Sequence, residues 1–237
     1  MKAMLLAAGL GTRLQPFTLK HPKALALVNG KTVLERNIQY LKSFGVTKIV
    51  INVHHFAQQI IDFLKENKNF GIEIYISDET EMVLETGGGI LFAKKFLEGE
   101  EDFLVMNVDI LTDLNLTSSL SFHKEKKALA SLAISQRKSS RQLLFNAEKQ
   151  LCAWKNFDSG EEKISRNEND LFPFSFSGIQ VLSPNIFSMI TQEGKFSIID
   201  TYLELAKENA VLGFEHSAIL KDIGSVEKIV EAEKIFF

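Results

Sequence analysis

The segment AAGLGTRL, residues 7–14, follows a short apolar run and contains residue types that bind phosphate. Gly9 and Gly11 allow the backbone to approach an anion and to point N–H groups at it. Thr12 adds a hydroxyl donor, and Arg13 adds a planar fork of donors that matches a phosphate group. A solvated surface charge is the alternative interpretation of the arginine, and the two neighbouring glycines make it the weaker one. The segment therefore predicts an anion-binding loop.

Two other glycine-rich phosphate sites do not fit this chain. A dinucleotide-binding turn requires a third glycine where the chain has Leu14. A P-loop requires a glycine five positions before Gly30 of the segment GKT, and Leu25 stands there instead. The remaining interpretation is a loop for a nucleoside triphosphate, to which Lys23 contributes a second cation directly after the stiffening residue Pro22.

The composition excludes several other classes of partner. The chain has 237 residues, with 27 Lys and Arg against 30 Asp and Glu, so its formal net charge is −3 and no basic field attracts nucleic acid. Cys152 is the single cysteine, which excludes an internal disulfide and a cysteine metal cage. No apolar segment approaches the roughly 20 residues of a membrane span. We therefore expect a cytoplasmic protein that binds neither nucleic acid nor membrane.

Strand and helix patterns alternate in the first half of the chain, which indicates βαβ units on a parallel sheet. There we predict strands at 2–7, 48–53, 72–77 and 102–109, and helices at 32–45, 57–67 and 87–99. Further on we predict strands at 128–135, 142–147 and 174–182, helices at 197–209 and 228–236, and a mobile loop at 158–170. The expected fold is α/β, with a Rossmann-like, doubly wound, mixed but mostly parallel sheet in a single domain, 1–237.

Six motifs resemble those of the sugar-1-phosphate nucleotidyltransferases, in family order and with family spacing, along essentially the whole chain. They are LAAGLGTRLQPFT (6–18), HPKAL (21–25), ETGGGI (85–90), NVDI (107–110), FSGI (176–179) and KDIGS (221–225). The resemblance implies a GT-A-like nucleotidyltransferase fold without a left-handed β-helix tail. It also implies a nucleotide-binding half, 1–115, and a sugar-binding half, 116–237. ETGGGI together with residues 140–156 most resembles the N-acetylmuramate-1-phosphate uridylyltransferases of cell-wall (peptidoglycan) recycling.

The reaction that this resemblance implies is attack of a sugar-1-phosphate oxygen on the α-phosphorus of a nucleoside triphosphate, with release of pyrophosphate. A phosphate dianion is already a nucleophile near neutral pH, so the step needs alignment and charge neutralisation rather than a general base. Arg13 would stabilise the leaving pyrophosphate, and Lys23 would bridge the α-phosphate and the incoming sugar phosphate.

UTP and N-acetylmuramate 1-phosphate are the favoured substrates, on the subfamily resemblance. Guanylyl or thymidylyl transfer to a hexose or heptose phosphate is the close alternative. A non-catalytic sensor of nucleotide or sugar phosphate is an alternative of a different class. The joint presence of Arg13, Lys23, Asp109 and Asp222 argues against the sensor, because binding alone does not require the whole set.

The family match implies a Mg²⁺ site at Asp109 and Asp222, each of which ends an apolar, strand-like run. The alternative is that these aspartates cap a turn or the next helix. Many relatives have a glycine directly before the first metal-binding aspartate, and this chain has Val108 there. Valine is bulkier than glycine and favours extended backbone geometry, so it affects how closely a metal and a ribose approach the backbone.

The resemblance also assigns the remaining contacts. The expected nucleotide-binding residues are Ala8, Gly9, Gly11, Thr12, Arg13, Lys23, Glu85, Thr86 and Gly87. The expected substrate-binding residues are Gly88, Asn107, Arg141, Ser177 and Gly178. Arg141 ends the basic segment QRKSSR and is the candidate for the acidic lactyl group of a muramate, with a solvated turn as an equally weighted alternative.

Overall fold

The computed structural model describes residues 1–237. The strands are β1 (Lys2–Leu6), β2 (Leu27–Val28), β3 (Lys31–Thr32), β4 (Lys48–Val53), β5 (Glu73–Asp78), β6 (Phe103–Asn107), β7 (Ile110–Thr112), β8 (Ala130–Ser135), β9 (Arg141–Phe145), β10 (Leu151–Asn156), β11 (Glu162–Ile164), β12 (Phe172–Leu182), β13 (Val211–Glu215) and β14 (Leu220–Asp222). The helices are α1 (Val33–Ser43), α2 (Ala57–Glu66), α3 (Glu85–Phe92), α4 (Lys94–Leu97), α5 (Leu116–Lys126), α6 (Ile186–Met189), α7 (Ile198–Leu205) and α8 (Val226–Glu233). Short 3-10 turns lie at Thr12–Leu14, Phe17–Leu19, Lys23–Leu25 and Lys68–Gly71. None of the helices has the length and apolar character needed to cross a lipid bilayer.

Ten of the strands form one sheet. Its order is β11-β10-β9-β12-β6-β1-β4-β5, and β8 joins it through β12 while β13 joins through β8. In the first half of the chain β6, β1, β4 and β5 pair in parallel, whereas β12 pairs antiparallel with β6, β8 and β9. The predicted α/β class and mixed sheet are thereby confirmed, and the parallel pairing is concentrated in the first half.

The central strand β1 is covered on both faces, because its alternate side chains point to opposite sides of the sheet. Met4 packs on one side with Ile90 of α3 and Tyr202 of α7, in a cluster of 24 buried residues. Leu5 packs on the other side with Ile38 of α1, in a cluster of 23 buried residues. Full burial of such a side chain contributes about 1.5–3 kcal/mol to folding, so helices on both faces fix β1 and the start of the loop after it.

Helix α1 begins and ends where its capping pattern predicts. The hydroxyl of Thr32 accepts a hydrogen bond from the amide of Glu35 at 3.0 Å, which satisfies one of the free amides of the first turn. Gly45 follows the helix with a φ of 78°, a left-handed conformation that ends helices. These two features set the ends of the helix that packs apolar side chains in the same cluster as Leu5 of β1.

Several elements differ from their predictions, among them two helices and one loop. The helix predicted at 87–99 begins two residues earlier and is split at Ala93 into α3 and α4. The segment 158–170, predicted as a loop, contains β11, which pairs with β10. Helix α5 was not predicted, because its buried positions include Ser119 and His123 and so carry no continuous apolar periodicity.

Candidate active site

The main cleft lies at the C-terminal ends of β1, β4 and β6, where ligands bind in open α/β sheets. Its cavity of about 500 Å³ is lined by the last residues of these strands and by the loops that follow them. The sequence-predicted site residues that line this cleft are Ala8, Gly9, Gly11, Thr12, Arg13, Lys23, Glu85, Thr86, Asn107 and Asp109. Those that lie outside its wall are Gly87, Gly88, Arg141, Ser177, Gly178 and Asp222.

The glycine-rich loop turns sharply at Gly11, whose φ of 61° lies in the left-handed region. A Cβ atom there would lie 3.0 Å from both Lys23 Cβ and Thr18 Cγ2, so the loop needs glycine to pack against these side chains. The hydroxyl of Thr18 donates a hydrogen bond to the carbonyl of Gly11 at 3.0 Å and stabilises the turn. Gly9, by contrast, has no protein atom within 4 Å of its Cβ position, which leaves its backbone open to a ligand in the cleft.

Lys23 and Asp109 form an ion pair in the wall of the cleft, with Lys23 Nζ donating to Asp109 Oδ2. The pair is shielded from water, because the two side chains are only 12% and 25% exposed. Lys23 starts a 3-10 turn after Pro22, and Asp109 lies just beyond the end of β6. The fold thus brings the predicted catalytic lysine into direct contact with one predicted metal ligand.

The strand pair β7 and β14 brings the second predicted metal ligand to the first. Asp222 lies opposite Ile110, the residue that directly follows Asp109. The amide of Ile223 donates a hydrogen bond to the carbonyl of Asp109 at 2.7 Å. The two aspartates therefore occupy neighbouring backbone positions, although they are distant in the sequence.

Asp222 is surrounded by cations. Lys228 Nζ donates hydrogen bonds to both of its carboxylate oxygens, at 2.6 and 2.5 Å, and Arg137 Nη1 lies 3.7 Å from one of them. Burial on its own would raise the pKa of Asp222, but the hydrogen bond and charge of Lys228, with the charges of Arg137 and Lys23, lower it overall. The carboxylate is therefore held in its ionised form, which is the form that binds cations.

Arg13 reaches the turn that follows Asp222. A Cβ atom at Gly224 would lie 2.8 Å from Asp222 Oδ1 and 3.2 Å from Arg13 Nη2, so a side chain at this glycine would collide with both. Gly224 itself lines the main cleft. The absence of a side chain there allows the guanidinium and the carboxylate to lie close to one another at the edge of the cleft.

Asp109 and Asp222 offer only oxygen ligands, a donor set that suits Mg²⁺. No group of three or more His, Cys, Asp and Glu side chains is arranged to hold a metal ion. A divalent ion held by these two aspartates would therefore take its remaining ligands from water and from a phosphate-bearing substrate, which is the usual way in which Mg²⁺ is bound.

The glycines at the start of α3 pack against the loop that precedes α7. The amide of Gly87 donates a hydrogen bond to the carbonyl of Phe196 at 3.0 Å, and a Cβ atom at Gly87 would lie 2.4 Å from the ring of that residue. A Cβ atom at Gly88 would lie 2.1 Å from the carbonyl oxygen of Gly194. The close approach that these glycines allow is made to the chain itself, and only the first two residues of α3 line the main cleft.

Asn52 and Glu79 are two site residues that the motifs did not reveal. Asn52 Oδ1 accepts a hydrogen bond from the amide of Ala7 at 2.6 Å, and its Nδ2 donates to Glu79 Oε1 at 2.8 Å. Glu79 also accepts from the amide of Leu84 at 3.2 Å, and burial raises the pKa of its carboxyl against these hydrogen bonds. The pair ties the loop after β1 to the loop before α3. The available signal was an asparagine inside the apolar run KIVINV.

Ser177 and Gly178 lie outside the main cleft, and Gly178 packs against Asn107 in its wall. The amide of Ala218 donates to His216 Nδ1 at 3.2 Å, so the ring proton lies on Nε2, which donates to Ser177 Oγ at 2.8 Å. Burial lowers the pKa of His216, in keeping with a neutral ring. Gly178 has a φ of 73°, and a Cβ atom there would lie 2.9 Å from Asn107 Nδ2. Gly178 therefore leaves room for the amide that lines the cleft.

Arg141 starts β9 and lines a second cavity, of about 290 Å³, which we call the side pocket. Ser197 belongs to the walls of both cavities, so the side pocket lies beside the main cleft. The side pocket is also lined by Trp154, Lys163, Phe176 and Asp200. The predicted substrate residue Arg141 is therefore separated from the phosphate-binding loop but adjacent to the same cleft.

Known proteins with similar sequences place this chain in a family. A family model described as nucleotidyl transferase matches residues 2–145. The chain belongs to the nucleotidyl transferase family. The N-acetylmuramate alpha-1-phosphate uridylyltransferase of Neisseria meningitidis serogroup B is 32% identical over 236 residues, covering 99% of this chain and 98% of that protein. The protein of the same name from Caulobacter vibrioides is 30% identical over 240 residues, covering 98% of this chain and 95% of that protein.

The fold of this nucleotidyl transferase is also found in solved structures. The crystal structure of HddC from Yersinia pseudotuberculosis complexed with GMP-PN has a TM-score of 0.78 at 23% sequence identity, covering 100% of this chain and 99% of that one. The fold and the family expected from the motifs are thus confirmed, as is the expectation that the chain is a nucleotidyltransferase enzyme.

Val108 is the position at which this nucleotidyl transferase departs from the pattern expected of its family. Its amide donates to the carbonyl of Leu6 at 3.1 Å, and its carbonyl accepts from Asn37 Nδ2 at 2.6 Å. Its side chain is 5% exposed and packs in the same cluster as Leu5. The backbone of Val108 is therefore fixed by hydrogen bonds and its side chain by packing, so the next residue, Asp109, starts from a well-defined position.

Proposed function

We propose that this protein transfers a uridylyl group from UTP to N-acetylmuramate 1-phosphate and releases pyrophosphate. The observation that carries the proposal is the single cleft in which Arg13, Lys23 and Asp109 meet at the ends of parallel strands. The choice of base and sugar is supported by two relatives that match nearly the whole chain and are both named N-acetylmuramate alpha-1-phosphate uridylyltransferase.

The attacking group is an oxygen of the sugar 1-phosphate, which is already anionic and needs no general base. The bond that forms joins this oxygen to the α-phosphorus of UTP, and the bond that breaks releases pyrophosphate. The one serine–histidine pair near the cleft is not an activated nucleophile, because His216 Nε2 donates its proton to Ser177 rather than accepting one. The chain therefore acts by aligning and neutralising phosphates.

The cations of the cleft neutralise the charge that develops on the phosphates. The open backbone at Gly9 and the hydroxyl of Thr12 bind the triphosphate, while Arg13 stabilises the departing pyrophosphate. Lys23 forms an ion pair with Asp109 in the wall of the cleft, and it binds the α-phosphate and the incoming sugar phosphate. These contacts strengthen as charge develops, so they contribute to turnover more than to substrate affinity.

Asp109 and Asp222 are the residues that would hold Mg²⁺, since they are adjacent and provide only oxygen ligands. When bound, the ion supplies positive charge to the phosphate oxygens and holds the triphosphate in a defined geometry. In the structure Lys23 and Lys228 balance the charges of these carboxylates. Lys228 lowers the pKa of Asp222, and the ion pair with Lys23 holds the side chain of Asp109 in place.

The test is pyrophosphate release by the purified protein with Mg²⁺. UTP, GTP, ATP and dTTP are each combined with the 1-phosphates of N-acetylmuramate, N-acetylglucosamine, glucose and mannose. We expect release with UTP and N-acetylmuramate 1-phosphate. Release with another pair only would overturn the proposed substrates and keep the reaction class, and release with no pair would overturn the reaction itself.

Asp109→Asn tests the proposed role of the carboxylate. We expect kcat to fall by about 100-fold or more, because the variant keeps its shape and loses the charge that would hold the ion. Asp62→Asn on the exposed face of α2 is the matched control for the loss of one carboxylate. Circular dichroism must show both variants folded. Parental activity in the Asp109 variant would disprove the metal assignment.

A further inference from the structure

The side pocket continues from the main cleft and has its own chemistry. Ser197 forms part of both walls, so the side pocket adjoins the main cleft at this residue. The cavity of about 290 Å³ is close to the lower limit of about 300 Å³ for small-molecule pockets. It therefore has room for a substituent of a sugar rather than for a second nucleotide.

The charges in the side pocket leave one cation available to a ligand. Lys163 Nζ lies 2.8 Å from Asp200 Oδ1, so these two charges compensate one another. The side chain of Arg141 is exposed, and its guanidinium makes no hydrogen bond and no ion pair with any residue of the chain. The pocket thus presents one unpaired guanidinium next to a neutralised pair.

The apolar part of the side-pocket wall contains aromatic and aliphatic side chains. Trp154 lies on β10, and Phe176 lies on β12, and both line the cavity with Arg141. Lys163 Nζ lies 5.5 Å from the centre of the Trp154 ring, which fixes the indole from one side. Apolar and aromatic walls with a few placed polar groups are typical of small-molecule sites, in which the polar groups decide specificity.

We propose that the side pocket binds a carboxylate-bearing substituent of the acceptor sugar, and that Arg141 recognises its charge. A guanidinium binds a carboxylate through two parallel N–H bonds, a geometry that a neutral hydroxyl or acetamido group does not satisfy. N-acetylmuramate differs from N-acetylglucosamine by a lactyl ether that carries a carboxylate. This inference rests on the proposed function, and it identifies the residue that discriminates between the two sugars.

The experiment compares two acceptors with UTP and Mg²⁺. N-acetylmuramate 1-phosphate carries the carboxylate, and N-acetylglucosamine 1-phosphate lacks it and is called the neutral acceptor. If the neutral acceptor is not turned over, its inhibition constant is measured in place of its KM. In Arg141→Gln we expect the KM for the muramate to rise by about 10–100-fold relative to that for the neutral acceptor, as for a lost charged hydrogen bond. Arg141→Lys keeps the positive charge but loses the planar pair of N–H donors. We expect its ratio of the two constants to lie between those of the parent protein and of Arg141→Gln.

Lys138→Gln is the matched control, because Lys138 is an exposed cation three residues away that lines neither cavity. It is expected to leave the ratio of the two constants unchanged. Equal changes for both acceptors in Arg141→Gln, or the same change in Lys138→Gln, would overturn the role of Arg141 and leave the proposed function standing. Failure of the parent protein to use N-acetylmuramate 1-phosphate with any nucleotide would overturn both.

Discussion

Lys228 donates hydrogen bonds to both carboxylate oxygens of Asp222, at 2.6 and 2.5 Å. The two residues are six positions apart, with Asp222 at the end of β14 and Lys228 in the first turn of α8. The side chain of Asp222 is only 19% exposed, so its charge has little water to stabilise it. The ammonium of Lys228 therefore replaces solvent as the main partner of this carboxylate.

Lys228→Met is expected to lower the free energy of unfolding by about 1 kcal/mol, because Asp222 loses its nearest cation. For a chain of this size the melting temperature should fall by about 2–4 °C. Lys221→Met is the matched control, since Lys221 pairs with Glu231, whose side chain is 55% exposed. Thermal denaturation at low salt measures both variants. Equal melting temperatures for the two variants would contradict a stabilising role of the Lys228–Asp222 pair.

Gly11→Ala is expected to lower kcat/KM by about 10–100-fold, because the added methyl group displaces Lys23 and Thr18 from the phosphate loop. Gly30→Ala is the control, since Gly30 also has a positive φ, of 75°, but has no atom within 4 Å of its Cβ position. Both variants should lose about 1–2 kcal/mol of stability through the left-handed backbone. Steady-state kinetics separate them, and a similar loss of activity in both would refute the packing argument.

Asn52→Ala is expected to raise the KM for the nucleoside triphosphate about tenfold, which corresponds to about 1.4 kcal/mol of binding. The reason is that the amide of Ala7 loses its partner and Glu79 keeps only the amide of Leu84, so the loop after β1 is no longer joined to the loop before α3. Asn146→Ala removes a comparable hydrogen bond, to the amide of Gln150, away from the cleft. Nucleotide titrations should show the effect in the first variant alone. Unchanged nucleotide affinity would limit Asn52 to a role in stability.

His123→Asn tests a pH dependence of stability. Burial lowers the pKa of His123 and Asp102 opposes this, with a net decrease. In the unfolded chain a histidine has a pKa of about 6.5, and in the folded chain the pKa of His123 is lower. Below about pH 6.5 the unfolded chain therefore binds more protons than the folded chain, and the free energy of unfolding falls as the pH drops. The variant should flatten part of this slope in urea denaturation between about pH 6.5 and 5.5. Burial also lowers the pKa of His216, which contributes to the slope in the same direction. A full slope in His123→Asn would be the contrary result.

The elements predicted correctly are those that have a local signal in the chain. β1, β4 and β6 are short, nearly continuous apolar runs, as expected for strands buried on both faces. Helix α1 was predicted from Thr32, Glu35 and its regular apolar spacing. The sharp turn after β1 was predictable from Gly9 and Gly11, while the binding of phosphate there stays a prediction.

The partners of the site residues were not predictable, because each contact joins segments that are remote in the sequence. Asn52 bonds to Ala7 and Glu79 across 45 and 27 positions. The glycines of α3 suggested contact with a ligand, whereas the structure packs them against Phe196 and Gly194. The sequence indicates that other atoms come close to the backbone at these glycines. Only the fold shows that those atoms belong to the chain itself.

Strand β12 pairs with β9 at its start and with β6 at its end. Phe176 of this strand lines the side pocket, and Gly178, two residues on, borders Asn107 in the main cleft. The register of β12 against β8 shifts between Phe176 and Gln180, where Gly178 has a φ of 73°. This short part of β12 connects the wall of the side pocket to the wall of the main cleft. We expect a change of side chain on β9 or β10 to alter the side pocket alone, because no residue of these two strands lines the main cleft. A single inserted residue between Phe176 and Gly178 would invert the faces beyond it and change both at once. In this protein the two cavities can therefore be changed separately by substitutions on β9 or β10, whereas a change in the length of β12 reaches both.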